Sequence, residues 1–225
     1  MAVDPGVMEY RLIPAQETRI EIVVVNSRFI VTAAPAFSVQ EAKAFISRIR
    51  AEFYDATHNV PVYLIGHGSS TIAHCSDDGE PPGTAGRPAL AVLQGSGLGN
   101  VAVVITRYFG GTRLGTGGLV RAYGDAMREV LNTLPRAAQV STHTTLLAVP
   151  YPLFEQVQGL IGTYHGRILS QDFGVDVTVE ARFVVASFAA FQSALAEMSN
   201  GALQAEIVQT DEATTMPLNA FDEPA

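Results

Sequence analysis

The sequence predicts an α+β chain built as two successive units, and three observations carry this reading. Hydrophobic residues make up 48% of the 225 residues and charged residues 16%, a composition that forms cores rather than disorder. Short β-branched stretches alternate with stretches of helical period. From His143 the alternation restarts, in the order strand, helix, strand, strand, helix, strand.

The elements follow in chain order. "TRIEIVVV" (Thr18 to Val25) alternates and then turns fully apolar, and "SRFIVTAA" (Ser27 to Ala34) follows after Asn26, so the two predict a hairpin. Ser38 and Glu41 have the spacing of a capping box. Behind them Val39, Ala42, Phe45, Ile46, Ile49 and Phe53 recur as one helical stripe. "VPVYLIG" and "STIAHC" predict two short strands around Gly66-His67-Gly68. Pro88 suits the first turn of a helix through "ALAVLQ". "NVAVVITRYF" has the composition of a strand buried on both faces. A long helix is expected from about Gly117 to Leu134, with Leu119, Tyr123, Met127, Val130 and Leu134 inward and Pro135 as its stop.

In the second unit "TTLLAVP" predicts a strand and "PLFEQVQGLIG" a helix with Leu153, Val157, Leu160 and Ile161 inward. "RILSQDFG" is a strand. "VDVTVEARFVV" places Val175, Val177, Val179, Ala181 and Phe183 on one face. The helix "SFAAFQSALAEM" buries Phe188, Phe191, Leu195 and Met198, and "LQAEIV" closes the unit. This βαββαβ order is the ferredoxin-like pattern. The expected division is residues 1–139, residues 140–216 and a polar, frayed tail over 217–225.

Net charge is −8, unevenly spread. Through Gln139 there are 12 basic and 12 acidic residues; from Val140 there are 2 basic and 10 acidic. A phosphate backbone is therefore repelled by the second unit on average, and RNA contact falls to a local patch of the first. Lys43 is the only lysine. One cysteine, Cys75, allows neither an internal disulfide nor a cysteine zinc cage. No apolar run approaches the roughly 20 residues of a membrane helix, and the start lacks the pattern of a signal peptide, so a cytoplasmic protein is expected.

Two loops concentrate the chemistry. "SDDGEPPGTAGRP" (Ser76 to Pro88) carries Asp77, Asp78 and Glu80. Three carboxylates suggest a hard-metal site, but the calcium-loop spacing is missing. Asp, Gly and Pro equally make a tight turn. A third reading, slightly favoured, has the carboxylates orient Arg87, Arg107, Arg113 and Arg121 through charge-assisted bonds. In "TRYFGGTRLGTGGL" (Thr106 to Leu119) a buried strand runs through Gly110-Gly111 and Gly115-Thr116-Gly117-Gly118 into a helix, the arrangement that cradles anions. The Lys-Ser/Thr pair of a nucleotide loop is missing, and Thr116 also fits as the helix cap. Tyr108 and Phe109, set between Arg107 and Arg113, suit stacking on bases, with at most one free because strand neighbours point apart. Cys75 beside His74 is read as structural, and no nucleophile–base motif is present. No catalytic residue, metal or cofactor is expected.

These two stretches, with "NSRFIVTAAP" and "DATHN" upstream, resemble the signature of the IMPACT/YigZ family over roughly Ser27 to Ala126, and the remainder resembles the small C-terminal domain of the bacterial two-domain form. The resemblance implies a ribosomal protein S5 domain 2-like N-terminal domain followed by a ferredoxin-like domain. That tandem is similar to the last two domains of translocating elongation factors. Eukaryotic members of the family regulate translation by binding a partner that activates a stress kinase. Many members read His-Asn-Cys where this chain has His58-Asn59-Val60, which removes any role for a cysteine there. The expectation is a non-enzymatic binding protein linked to translation, contacting RNA, the ribosome or a protein partner through residues 76–88 and 106–121. The alternative is a phosphate- or nucleotide-binding enzyme using the glycine-rich loop.

Overall fold

The computed structural model describes residues 11–218. They divide into two compact units, Arg11–Ala137 and the residues from Ala138 onward. Among the described residues no helix is long and apolar enough to cross a membrane.

The first unit is one antiparallel sheet with helices on both faces. A short strand β1 (Arg11–Pro14) precedes the hairpin β2 (Thr18–Val24) and β3 (Ser27–Pro35). Val25 and Asn26 both take positive φ, the two-residue turn that matches strand twist. Helix α1 (Val39–Glu52) begins as its capping box requires: the Glu41 amide donates to Ser38 Oγ at 3.1 Å, and Glu41 Oε2 accepts from the Phe37 amide at 3.0 Å. Next come β4 (His58–Ile65), a 3-10 turn at Gly68–Ser70, β5 (Ile72–Cys75) and α2 (Gly86–Gln94). β6 (Val101–Tyr108) and the long α3 (Gly115–Thr133) complete the unit. The sheet order is β2-β3-β6-β4-β5.

Central β6 explains its own composition. Val101, Val103 and Ile105 face α2 and α3, while Ala102 and Val104 face α1, so the strand is buried from Val101 to Arg107. β1 was not legible in the sequence. Its four residues show no alternation, and its partners are remote: Leu12 bridges Leu98, and the Ala15 amide donates to the Pro135 carbonyl.

In the second unit β7 (Arg136–Val149), α4 (Phe154–Thr163), β8 (Arg167–Phe173), β9 (Val177–Val184), α5 (Val185–Met198) and β10 (Glu206–Pro217) follow the expected order. β9 lies between β7 and β8, antiparallel to both, and β10 pairs with β7. That is the ferredoxin-like sheet. Its core sets Val157 and Ile161 of α4 and Phe191 and Leu195 of α5 against Val177, Val179, Ala181 and Phe183. Two details differ from expectation. Val175 is 97% exposed because it sits in the turn before β9 rather than on its inner face. The last strand extends to Pro217, because Met216 buries with Ala138, Val140 and Val184. Of the expected tail, residues 219–225 lie outside the described residues.

Candidate anion-binding site

The carboxylates of the first loop build the loop. Asp77 accepts from the amides of Gly83 at 2.7 Å, Ala85 at 3.1 Å and Gly86 at 2.8 Å, and so caps α2, whose own N-cap residue, Ala85, has no side-chain acceptor. Burial pushes the Asp77 pKa up, but these amides and the charge of Arg87 outweigh it and hold the group below the ordinary value. Asp78 accepts from the Asn59 amide and from Arg50, both at 2.6 Å. Glu80 is buried. Its Oε1 accepts from Arg107 at 2.6 Å and from the Tyr123 hydroxyl at 2.8 Å, and His58 Nε2 stands 3.7 Å from Oε2. Burial, then the Glu80 charge, pushes the Tyr123 phenol far up, so it remains a donor.

The expectation that these carboxylates orient four arginines is corrected here. Among the described residues only Glu80 holds one of them, Arg107; Asp77 serves backbone amides, and Asp78 holds Arg50, outside that set of four. The reason is reach. A loop that starts a helix offers free amides next to its own aspartate, while Arg107 enters from the neighbouring strand with its side chain inward.

The second loop starts from that strand. Arg107 continues the alternation of Val103 and Ile105 and so points to the α3 side, 5% exposed. Besides Glu80 it donates to Ser27 Oγ at 3.2 Å, and its guanidinium lies 5.5 Å from the Phe29 ring centre. Its Nε has no hydrogen-bond partner. Tyr108 points to the other side, where its hydroxyl donates to Asp55 at 2.7 Å and the Arg28 guanidinium covers its ring at 4.7 Å. Neither aromatic is core: Tyr108 is half-buried, and Phe109 is 46% exposed because the strand has ended.

Gly110 is a packing glycine, since a Cβ there would lie 2.0 Å from the Asn26 carbonyl oxygen. Gly111 and Gly115 take positive φ, whereas Gly117 and Gly118 lie in the first turn of α3. Thr116 also belongs to that turn and is not the cap. The N-cap is Leu114, which has no side-chain acceptor, so the first amides of α3 have no capping side chain. Arg87, Arg113 and Arg121 are exposed and form no ion pair among the described residues.

A cleft of about 370 Å³ joins the two loops, with Glu80 and Pro81 on one side, Arg107 and Phe109 at its strand, and Arg113 and Thr116 at the start of α3. A second hollow of about 240 Å³ shares Arg113 and Leu114 with it and adds Arg121 and Asp125. The fold thus collects Glu80, Arg107, Arg113, Gly115 and Thr116, with Gly118 and Arg121 next door. Asp77, Asp78, Arg87 and Tyr108 line neither hollow. Ser27, His58 and Tyr123, which also line neither hollow, stand against Arg107 or Glu80 from behind, and the sequence does not mark them for that task. The spacing of Tyr123 marks it only as an inward position of α3, and nothing local marks its hydroxyl as Glu80's donor.

The cleft offers helix-start amides and one unpaired arginine, Arg113, which together suit an anion. Its one acid, Glu80, is committed to Arg107 and Tyr123. Cys75 lies elsewhere, and burial, then Asp77, pushes its thiol up, away from the nucleophilic thiolate.

Known proteins share this architecture. The family model of the Impact N-terminal domain matches residues 25–131, and that of a domain of unknown function, DUF1949, matches residues 147–202. IMPACT family member YigZ of Escherichia coli is 38% identical over 88% of this chain and 97% of its own length. An IMPACT family member of Haemophilus influenzae is 35% identical over 89% of this chain and 98% of its own. A crystal structure described as that of a hypothetical protein superposes with TM-score 0.59 at 37% identity, covering 90% of this chain and 99% of that one. With near-full-length identity of this order and both domain models in the same sequence, the chain belongs to the IMPACT family.

Proposed function

We propose that this chain is a non-enzymatic binding protein acting in translation or its regulation in the cytoplasm, and that it contacts the phosphate backbone of ribosomal RNA through the cleft at the start of α3. One observation carries the reading: an α-helix of 19 residues begins without a capping side chain in a cleft whose unpaired charge is Arg113. Arg121 extends the positive surface into the adjoining hollow. The tie to translation comes from the family, whose eukaryotic members regulate it. A match to Protein IMPACT-B of Xenopus tropicalis, 35% identical over 37% of this chain, supports the kinship.

Electrostatic RNA contact weakens steeply with salt. The test is co-sedimentation of the full chain with ribosomes at low and high salt. A ribosome-bound fraction at low salt, lost at high salt and reduced by Arg113→Glu, is expected. No bound fraction at low salt would sink the reading. Binding that Arg113→Glu leaves unchanged would assign contact to another surface, such as one that meets a protein partner. The alternative, a phosphate- or nucleotide-binding enzyme, lacks a free acid or base in the cleft. Thermal-shift screening with ATP, GTP and magnesium separates it, since a ligand that binds the folded chain raises its melting temperature.

A further inference from the structure

A second cleft, of about 410 Å³, lies on the opposite face of the first unit's sheet, between α1 and the β4–β5 hairpin. Lys43, Ser47 and Arg50 line it from successive turns of α1. Tyr63 of β4 and His74 of β5 line it from below. They are direct cross-strand partners, and their rings stack at 5.0 Å with an interplanar angle of 26°.

Three features of these residues go unused within the fold. Tyr63 buries its ring, but its hydroxyl reaches the cleft and has no hydrogen-bond partner among the described residues, so it is open to a ligand there. Lys43, the only lysine, has no ion pair among the described residues. Arg50 gives one amine to Asp78 at 2.6 Å, and a guanidinium has five N–H donors.

We propose that this cleft binds a small organic phosphate. The phosphate takes Lys43, Arg50 and the Tyr63 hydroxyl, and the carbon portion lies against the His74 ring and Ile46. A phosphate presents three oxygens to donors in three directions, Lys43, the remaining N–H groups of Arg50 and the Tyr63 hydroxyl, whereas a monocarboxylate presents two. The volume is that of a small-molecule site and exceeds what a bare phosphate ion fills. The flat Tyr63–His74 pair supplies the apolar surface for the organic part. This site is separate from the RNA-binding reading above and does not rest on it.

The test is a titration of the full chain with phenyl phosphate, followed by amide chemical shifts, with phenol and inorganic phosphate as comparisons. Saturable shifts around Lys43, Ser47, Tyr63 and His74 are expected. Lys43→Gln should weaken binding about tenfold or more, as loss of a charge-assisted bond does. Tyr63→Phe keeps the ring and should weaken it about fivefold. Arg113→Glu, on the other face, should leave it unchanged. The proposal is overturned if no saturable shift appears at about 10 mM, an affinity too weak for a built site. It is also overturned if Lys43→Gln and Tyr63→Phe bind like the wild type, or if phenol or inorganic phosphate binds as tightly as phenyl phosphate.

Discussion

Glu80 and Arg107 meet under the cleft with their side chains 3% and 6% exposed, and at this depth neither charge tolerates the loss of the other. Glu80→Ala is expected to destabilise the chain by about 3–5 kcal/mol in urea unfolding, because it strands a buried guanidinium. The double change Glu80→Leu, Arg107→Leu should cost less than Glu80→Ala alone, since it strands no charge and leaves only the Tyr123 and Ser27 hydroxyls to lose a partner. Asp77 behaves differently, because it is only partly buried and its partners are amides. Its folded pKa lies below its unfolded one, so its contribution is full above the ordinary aspartate value of about 3.9 and is lost as pH falls through the folded value. Asp77→Asn should therefore lower the melting temperature at neutral pH. The difference from wild type should close as the pH drops below about 3.9, which thermal melts across an acid series would check. The sequence marked both residues as notable but not their tasks. Which donor a carboxylate meets depends on which backbone amides and side chains the fold brings to it.

At the scale of elements, helix and strand identities were largely written in local pattern. The Ser38–Glu41 box, the stripe of α1, the apolar run of β6 and the inner face of α3 each need only a few neighbouring residues to be read. The approach of one loop to another was not readable in this way. Gly110 lies in a glycine-rich loop that suggests an anion cradle, yet the Asn26 carbonyl, across the β2–β3 turn, is what forbids a side chain there. Gly110→Ala should lower stability by about 1–3 kcal/mol through overpacking against backbone, measured by denaturant unfolding. It should also displace the Arg113 loop and weaken the proposed ribosome contact. A cradle role alone would weaken binding and leave stability intact.

For the molecule as a whole, each unit has its own core, and a lesion in one should report there first. In the second unit Gly166 follows the end of α4, where its amide donates to the Ile161 carbonyl at 2.8 Å. A Cβ at Gly166 would stand 2.3 Å from a ring carbon of Phe183, at the centre of the aromatic cluster with Phe191. Gly166→Ala should speed hydrogen exchange across residues 138–217, with protection of the β6 and α3 amides retained. Equal loss in both units would show that they unfold as one. The charge asymmetry belongs to this scale too. With the acidic excess confined to the second unit, the exposed Arg87, Arg113 and Arg121 all sit in the first. The sequence by itself determined the two-unit α+β order, the ferredoxin-like second unit and the family, because periodicity, caps and long signature loops are local and additive. Only the tertiary structure decided that Asp77 caps α2, that Glu80 and Arg107 go inward, and that Tyr63 and His74 stack beneath Lys43. Those outcomes depend on which distant groups share a buried space, and burial sets whether a charge is a scaffold or a binding surface.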